Sequence, residues 1–419
     1  MKFFLKTYGC TFSRANSDMI YCLVKDKLSS YSEANCVIFN TCGVKEQTEK
    51  KIIEEIKRTN NKKILIFGCL PYIRKDILEI KGIKNKDIEI FGLDFEKLKK
   101  RLEELSAEEK GKEEKEEKNE SNKNPHCRFA YTAPIARIQV SMGCLSKCSY
   151  CATKFATGVL KSRKIGEIIN EIKIALSSGC MEIQLTGQDL GCYGMDIDTS
   201  LGSLLKEVEK IDGNFKVRVG MINPKYINRI PEEIFSGKKI YHFLHLPIQS
   251  GSNEVLAHMR RGYSIEDVEG YVEEKRKEFN FSFETDVIVG YPTETNEDYK
   301  KTYEFIERIK PDVVNVTKFS KRPGTEIDIL NLKNINSREV KRRSSEISNL
   351  CRKIAYEINK GLVGTEQLVL VQENGKKEGE VKGRNENYKQ VVLKKNLGYG
   401  FHRCKIVSAT VTSLIGVEC

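Results

Sequence analysis

A Cys-x3-Cys-x2-Cys triplet, Cys144, Cys148 and Cys151, constrains this chain more than any other feature. Three thiolates at this pitch can hold three irons of a [4Fe–4S] cube and leave the fourth iron without a protein ligand. An open coordination position separates a reactive metal site from a closed structural one. Zinc sites need four ligands in paired short spacings, and ferredoxin runs use other gaps and a fourth cysteine. The bland alternative, three unrelated cysteines in one loop, has no packing reason to produce this pitch.

At 419 residues the chain is too long for one ordinary core and implies two or three domains. No stretch supplies the ~18 consecutive apolar residues of a membrane span. Lys2 and Lys6 interrupt the apolar start, which lacks the h-region of a signal peptide. These features predict a cytoplasmic protein without a membrane partner, in a compartment where clustered cysteines indicate metal or redox chemistry. Of fourteen cysteines, Cys22, Cys36, Cys127, Cys180, Cys192, Cys351, Cys404 and Cys419 join no motif and read as plain buried residues. A formal net charge of +12 permits a nucleic-acid partner. It does not require one, because charge of this size also keeps a protein soluble.

The first hundred residues read as strand–helix repeats of a doubly wound parallel sheet. The apolar runs Phe3-Phe4-Leu5, Val37-Ile38-Phe39 and Ile64-Leu65-Ile66-Phe67 each lead into a cysteine: Cys10, Cys42 and Cys69. The three cysteines recur at ~30-residue steps, the length of one βαβ unit, so each falls just past the carboxyl end of its own strand. In a parallel sheet those ends share one edge, where ligands bind. Cys10, Cys42 and Cys69 are therefore expected to converge on a second [4Fe–4S] cluster. The competing reading is three small apolar residues closing three strands.

From Leu105 to about Cys127 the composition turns to Glu, Lys, Asn and Ser with no apolar stripe, a solvated linker. Beyond it come six strand-like runs with helical segments between them: Ile135 to Ser141, Glu182 to Thr186, Lys216 to Ile222, Tyr241 to Pro247, Phe283 to Val289 and Pro311 to Phe319. Six repeats predict a partial (β/α)6 barrel, with the Cys144 triplet in the loop after the first strand, on the face where barrel enzymes keep their chemistry. A basic helical segment, Arg338 to Asn359, follows. From Gln367 onward short strands and turns predict a small OB-like β-barrel. Lysines and arginines spread through this last unit, with Tyr388, Tyr399 and Phe401 as candidate stacking platforms for RNA.

The motifs Lys6-Thr7-Tyr8-Gly9-Cys10, Asn40-Thr41-Cys42-Gly43-Val44, Gly68-Cys69-Leu70-Pro71 and the Cys144 triplet resemble those of the radical S-adenosylmethionine (radical SAM) methylthiotransferases. The likeness extends over essentially the whole chain. Leu185-Thr186-Gly187-Gln188-Asp189, Gly220-Met221-Ile222-Asn223-Pro224 and Leu244 to Ser252 are similar to the archaeal and eukaryotic branch, which methylthiolates threonylcarbamoyladenosine 3′ of the tRNA anticodon. Asp286 to Pro292 with Glu294, and Arg322-Pro323-Gly324-Thr325, also fit. One departure is Ala156-Thr157-Gly158, where the family usually has Ala-Arg-Gly. A contact made by that arginine has no counterpart here.

The resemblance implies four segments: 1–104 with an auxiliary cluster, a linker at 105–128, a radical SAM core at 129–360, and a C-terminal TRAM unit at 361–419 that binds RNA. It implies that Cys144, Cys148 and Cys151 hold the SAM-cleaving [4Fe–4S] cluster and that Cys10, Cys42 and Cys69 hold the auxiliary one. Gly187, Gln188, Asn223 and Gln249 become candidates to bind SAM, the alternative being loop residues that satisfy backbone. His245, between Leu244 and Leu246, reads as structural. The implied partners are the tRNA anticodon loop, an external one-electron donor and a sulfur donor. Competing readings keep the chemistry on isopentenyladenosine or a ribosomal-protein aspartate, or reduce the chain to a two-cluster electron carrier. The last requires far less protein than this.

Overall fold

The computed structural model describes residues 1–107 and 134–419. Most of the charged segment expected at 105–128, with Cys127, lies outside the described residues. The described chain forms two compact units. One takes the chain's first hundred residues together with Tyr150–Val159 and Ser320–Ile329; the other takes residues 134–149, Leu160–Phe319 and Leu330–Cys419. Among the described residues no helix is long and apolar enough to cross a membrane.

In the first unit, strands β1 (Phe3–Thr7), β2 (Cys36–Thr41), β3 (Lys63–Gly68) and β4 (Ile88–Gly92) pair in parallel. Burial on both faces explains why β2 and β3 read as continuous apolar runs. Helices α1 (Thr11–Val24) and α4 (Phe95–Ala107) cover one face, where Ile20, Leu98 and Leu102 meet Ile38, Leu65 and Phe67. Helix α2 (Glu46–Arg58) covers the other, packing Ile52, Ile53 and Ile56 on Val37, Phe39, Ile64 and Ile66. The expected two-sided parallel sheet is present, with a fourth strand that the cysteine repeats did not mark. Strand order follows chain order, so the sheet lacks the order reversal that opens a ligand crevice in nucleotide-binding sheets. Short helices α3 (Leu70–Ile73), α5 (Thr153–Thr157) and α12 (Glu326–Ile329) complete this unit. At the departure noted above, Thr157 is buried and its hydroxyl donates to Thr153 O, closing α5.

The second unit opens with β5 (Ile135–Gln139), followed by a two-residue ladder of β6 (Ser141–Met142) with β7 (Lys161–Ser162). Strands β8 (Glu182–Thr186) and β9 (Lys216–Val219) extend β5 into a parallel sheet. Strands β10 (Phe243–His245), β11 (Ser282–Val289) and β12 (Val313–Lys318) form another, linked to the first by a Val217–Ile240 bridge. All six predicted strands are present, most of them shorter than their apolar runs. Between them run α6 (Ile165–Ser177), α7 (Leu201–Glu209), α8 (Glu233–Ser236), α9 (Asn253–His258), α10 (Ile265–Glu278) and α11 (Asn296–Ile309). Capping boxes Ser264/Asp267 and Thr295/Asp298 start the last two by satisfying orphan amides. Helix α13 (Ser337–Lys360) is tied to the loop after β11 by a buried Arg343–Glu294 ion pair of 2.8 Å.

A closed five-stranded barrel ends the chain: β13 (Glu366–Asn374), β14 (Val381–Asn385), β15 (Gln390–Leu393), β16 (Gly400–Ala409) and β17 (Leu414–Glu418), ordered β13-β14-β15-β17-β16. Its β14–β15 turn packs on the amino ends of the central strands. Tyr388, held at φ +60°, puts its ring 4.8 Å from that of Tyr241 and 5.1 Å from that of Phe243. Its hydroxyl donates to Glu182 at 3.3 Å and accepts from Gln184 at 3.2 Å. Lys216–Glu386 and Lys389–Asp312 ion pairs, both 2.5 Å, flank the ring. This corrects the reading of Tyr388 as an RNA platform, because its ring and hydroxyl are already engaged. Lys389 and Arg384, which lies 4.6 Å over the Tyr388 ring, are likewise engaged. Tyr399, Lys376, Lys377, Lys394, Arg403 and Lys405 remain exposed.

Removing this ring is expected to be costly. Tyr388→Ala should destabilise the second unit by about 3–5 kcal/mol, the usual loss for a packed aromatic. Tyr388→Phe should cost only about 1 kcal/mol. Denaturant unfolding of both variants checks the pair of values, and equal losses would contradict the packing role.

Candidate active site

In the first unit the three strand-end cysteines are drawn together by backbone close approach. Cys10 caps the start of α1. Its neighbour Gly9 sits at φ +108°, where a Cβ would lie 2.8 Å from Cys42 Cβ, so only glycine lets these two loops meet. Buried Asn40 donates to Ser13 O at 2.6 Å and to Ser17 Oγ at 2.7 Å, tying the end of β2 to α1. Thr41 Oγ1 donates to Phe67 O at 2.7 Å, and Cys69 N–H donates to Thr41 O at 3.1 Å. Gly43 completes the contact, with a Cβ position 3.4 Å from Cys69 O.

Burial pushes the Cys69 thiol up to about 12, and the charges of Cys42, Cys10 and Cys151 push in the same direction. Burial also raises Cys42, against the amides of Val44 and Lys45, which favour its thiolate. Mutually repelling soft donors suit a cationic iron–sulfur core, which favours their deprotonated form. Among the described residues no three Cys, His or carboxylate side chains are grouped to hold a single metal ion.

Below these loops, buried Glu49 of α2 accepts from Arg74 at 2.9 Å and pairs with buried Arg322. Arg322 belongs to the Arg-Pro-Gly-Thr motif, hundreds of residues downstream, and this ion pair helps fasten that segment to the first unit, with Ser320 Oγ donating to Glu46 at 2.7 Å.

In the second unit, Cys144 and Cys148 follow β6. Gly143, at φ +87°, donates its N–H to Gln188 Oε1 at 2.7 Å. Ser146 N–H donates to Cys144 Sγ at 3.3 Å, and Arg261 Nη1 donates to Cys148 Sγ at 3.2 Å. Asn223 uses both side-chain atoms, donating to Ser146 Oγ at 3.0 Å and accepting from Lys225 N–H at 3.2 Å, so it braces the cysteine loop. Gln188 likewise braces the loop through its oxygen. Gly187 leaves space where a Cβ would meet Ser141 Oγ at 2.7 Å, and that hydroxyl is buried without a hydrogen-bond partner among the described residues. An orphan hydroxyl beside a missing side chain makes a cradle for a small polar group. Gln249 occupies the left-handed region at φ +71°, its backbone fixed by Asp286 O and Ile288 N–H. Its side chain has no partner among the described residues.

Other residues near this site make contacts that the sequence did not reveal. Asp189 is buried, accepts from Gly191 and Asn223 amides at 3.0 Å, and has Oδ2 3.9 Å from Cys144 Sγ. Burial pushes its carboxyl up to about 7, with the Asn223 amide opposing and Cys144 adding to the rise. Its place directly after Gln188 at a strand end was the available signal. Cys192, read as a plain buried residue, is buried and hydrogen-bonds Cys144, which raises its thiol strongly, with burial second. His245, expected to be structural, has its Nε2 2.8 Å from Asp286 Oδ2. Its apolar neighbours point the other way, as strand alternation requires.

Residues 138–306 match the radical SAM superfamily, and residues 2–90 match the family described as Uncharacterized protein family UPF0004. A relative from Pyrococcus abyssi, named a probable threonylcarbamoyladenosine tRNA methylthiotransferase, is 37% identical over 99% of each chain. The chain belongs to that methylthiotransferase family. A relative from Dictyoglomus thermophilum, named a tRNA-2-methylthio-N(6)-dimethylallyladenosine synthase, is 33% identical over 99% of this chain and 98% of its own. A solved radical S-adenosylmethionine methyltransferase from Kitasatospora setae, with cobalamin and a [4Fe–4S] cluster bound, shares the fold. Its TM-score is 0.54 at 15% identity, covering 79% of this chain and 78% of that one.

The Glu49–Arg322 pair yields a direct test in this family member. Arg322→Ala should cost about 3–5 kcal/mol, because a buried carboxylate then keeps only Arg74. Thermal or denaturant unfolding measures it. A loss below about 1 kcal/mol, the level of an exposed pair, would contradict the assignment.

Proposed function

We propose that this chain places a methylthio group on carbon 2 of N6-threonylcarbamoyladenosine, 3′ of the anticodon in tRNA. One observation carries the reading: two three-cysteine sets, each past the ends of parallel strands, lie in a chain whose full length aligns with tRNA methylthiotransferases. Cys144, Cys148 and Cys151 would hold the SAM-cleaving cluster, and Cys10, Cys42 and Cys69 the auxiliary cluster. When bound, the two [4Fe–4S] clusters and SAM supply the radical and the methylthio group. Acid–base groups alone would not serve, because the adenine C2–H has no useful acidity and such catalysis contributes only about 10²–10⁴-fold.

The chain's own residues bind and orient. Gln249, the Gln188 amide nitrogen and Ser141 Oγ have no partner among the described residues and would orient SAM. Asn223 braces the loop, and Gly187 keeps the space clear. Segment 1–104 would carry the auxiliary site, 129–360 the SAM site and 361–419 the RNA contacts. In the last, exposed Lys376, Lys377, Lys394, Arg403 and Lys405 would meet phosphates, and Tyr399 would stack on a base. External donors would supply the electron and the sulfur, and a tRNA substrate would be met in the cytoplasm.

Anaerobically reconstituted protein should hold two clusters, or about eight irons per chain. Replacing Cys144, Cys148 and Cys151 with Ala should remove one cluster and abolish 5′-deoxyadenosine release. Replacing Cys10, Cys42 and Cys69 should also remove one cluster but leave SAM cleavage, uncoupled from tRNA. Methylthiolation by the second triple variant would refute the auxiliary assignment.

The substrate assignment has its own test. Threonylcarbamoyl carries a carboxylate, whereas isopentenyl is apolar and needs a hydrophobic pocket. A site built for the carboxylate rejects analogues lacking it, because its buried polar partner is left unpaired. Nucleoside mass spectrometry should show product from tRNA bearing threonylcarbamoyladenosine and little from tRNA bearing isopentenyladenosine. Equal turnover, or a preference for isopentenyl, would reassign the substrate and leave the chemistry standing.

A further inference from the structure

The loop carrying Cys144 and Cys148 is held by the turn that ends α9. Ser149 N–H donates to Met259 O at 3.2 Å, and Ser149 Oγ donates to His258 O at 2.8 Å. Arg260 then takes φ +55° and reverses the chain. This reversal delivers Arg261, 6% exposed, to the cysteine loop. Its guanidinium donates from Nη1 to Cys148 Sγ at 3.2 Å, from Nη2 to Pro247 O at 2.9 Å and from Nε to Tyr263 Oη at 3.3 Å. The Tyr263 ring lies 5.4 Å beneath it, and Tyr263 in turn donates to Ile248 O. The charge is thus immobilised on one cysteine sulfur. Cys144, by contrast, receives a neutral donor, the Ser146 amide.

We propose that Arg261 is a positioning residue that raises the reduction potential of the cluster on Cys144, Cys148 and Cys151. The proposal rests on the reading of that triplet as the SAM-cleaving site. Reduction adds one electron, from an external one-electron donor, to the cluster. The guanidinium keeps its proton, and no bond to Arg261 forms or breaks. The reduced form carries one more negative charge than the oxidised form. A fixed cation donating to a ligand sulfur therefore favours the reduced form, and hydrogen bonds to cluster sulfurs are an established control on potential. Burial strengthens the effect, because the guanidinium and sulfur are little screened by water. The fork fixes Pro247 and its partner Tyr263 fixes Ile248, one residue short of Gln249, so the loop offering that amide is registered to the cluster's ligand.

The test uses the full-length, reconstituted protein with both clusters. Potentiometric titration followed by electron paramagnetic resonance isolates the signal that changes shape on adding SAM. In Arg261→Gln, which keeps a donor but loses the charge, reduction should be about tenfold less favourable, a fall of about 59 mV for one electron. Arg261→Lys keeps the charge without the fork and should fall by less. An unchanged or higher potential in a variant that retains its iron overturns the proposal. Iron loss in both variants also overturns it, assigning Arg261 to cluster retention alone. A native chain with no SAM-responsive signal overturns the cluster assignment itself, an outcome distinct from a native signal whose potential the substitutions leave untouched.

Discussion

Parallel pairing is the constraint on which the rest of this molecule depends. Strands that run the same way must all end on one edge, and each needs a crossover to return. Cysteines placed one crossover apart in sequence therefore arrive side by side. Cys10, Cys42 and Cys69 meet this way after β1, β2 and β3, and the Cys144 loop follows β5 on the same principle. The close approach then depends on small residues: Gly9 against Cys42, Gly68 against Thr41, Gly187 against Ser141. A side chain would collide with Cys42 at the first, with backbone at the second and with the Ser141 hydroxyl at the third.

The two cysteine sets sit in different electrostatic surroundings. Around Cys42 and Cys69 burial and neighbouring thiols dominate, moderated by backbone amides. Around Cys144 and Cys148 the surroundings are mixed, with Asp189 near one sulfur and Arg261 on the other. The proposed ligands are the same in both sets, so outer contacts of this kind would separate their potential and reactivity. That difference suits one site that accepts an electron and another that handles sulfur.

Buried charge is used repeatedly as a joint. Glu49–Arg322, Glu294–Arg343 and the Glu182–Tyr388–Gln184 group each connect segments far apart in sequence. A buried pair adds little net stability over a packed apolar equivalent, but removing one partner is expensive. Such joints favour one arrangement over near alternatives. In the second unit they set the C-terminal barrel at the amino ends of the central strands, leaving the carboxyl ends to the cysteine loop.

The sequence by itself determined the elements and the chemistry: β-rich apolar runs at regular spacing, both cysteine sets, the six-strand core and a basic β-rich end. These are legible because strand burial and ligand pitch are local properties, written in adjacent residues. The tertiary structure alone decided which polar groups serve the site. Arg261 is 113 residues from Cys148 in the chain, and nothing in Met-Arg-Arg-Gly-Tyr predicts that its guanidinium finds a sulfur. Asn223 and Gln188 were visible as strand-end amides, but only their partners show that both brace the loop. Tyr388 in a basic barrel reads as a stacking surface until its ring is found against Tyr241 and Phe243. The reason is the same in each case: a side chain's role is set by the atoms within a few ångströms of it, and folding chooses those atoms from distant parts of the chain.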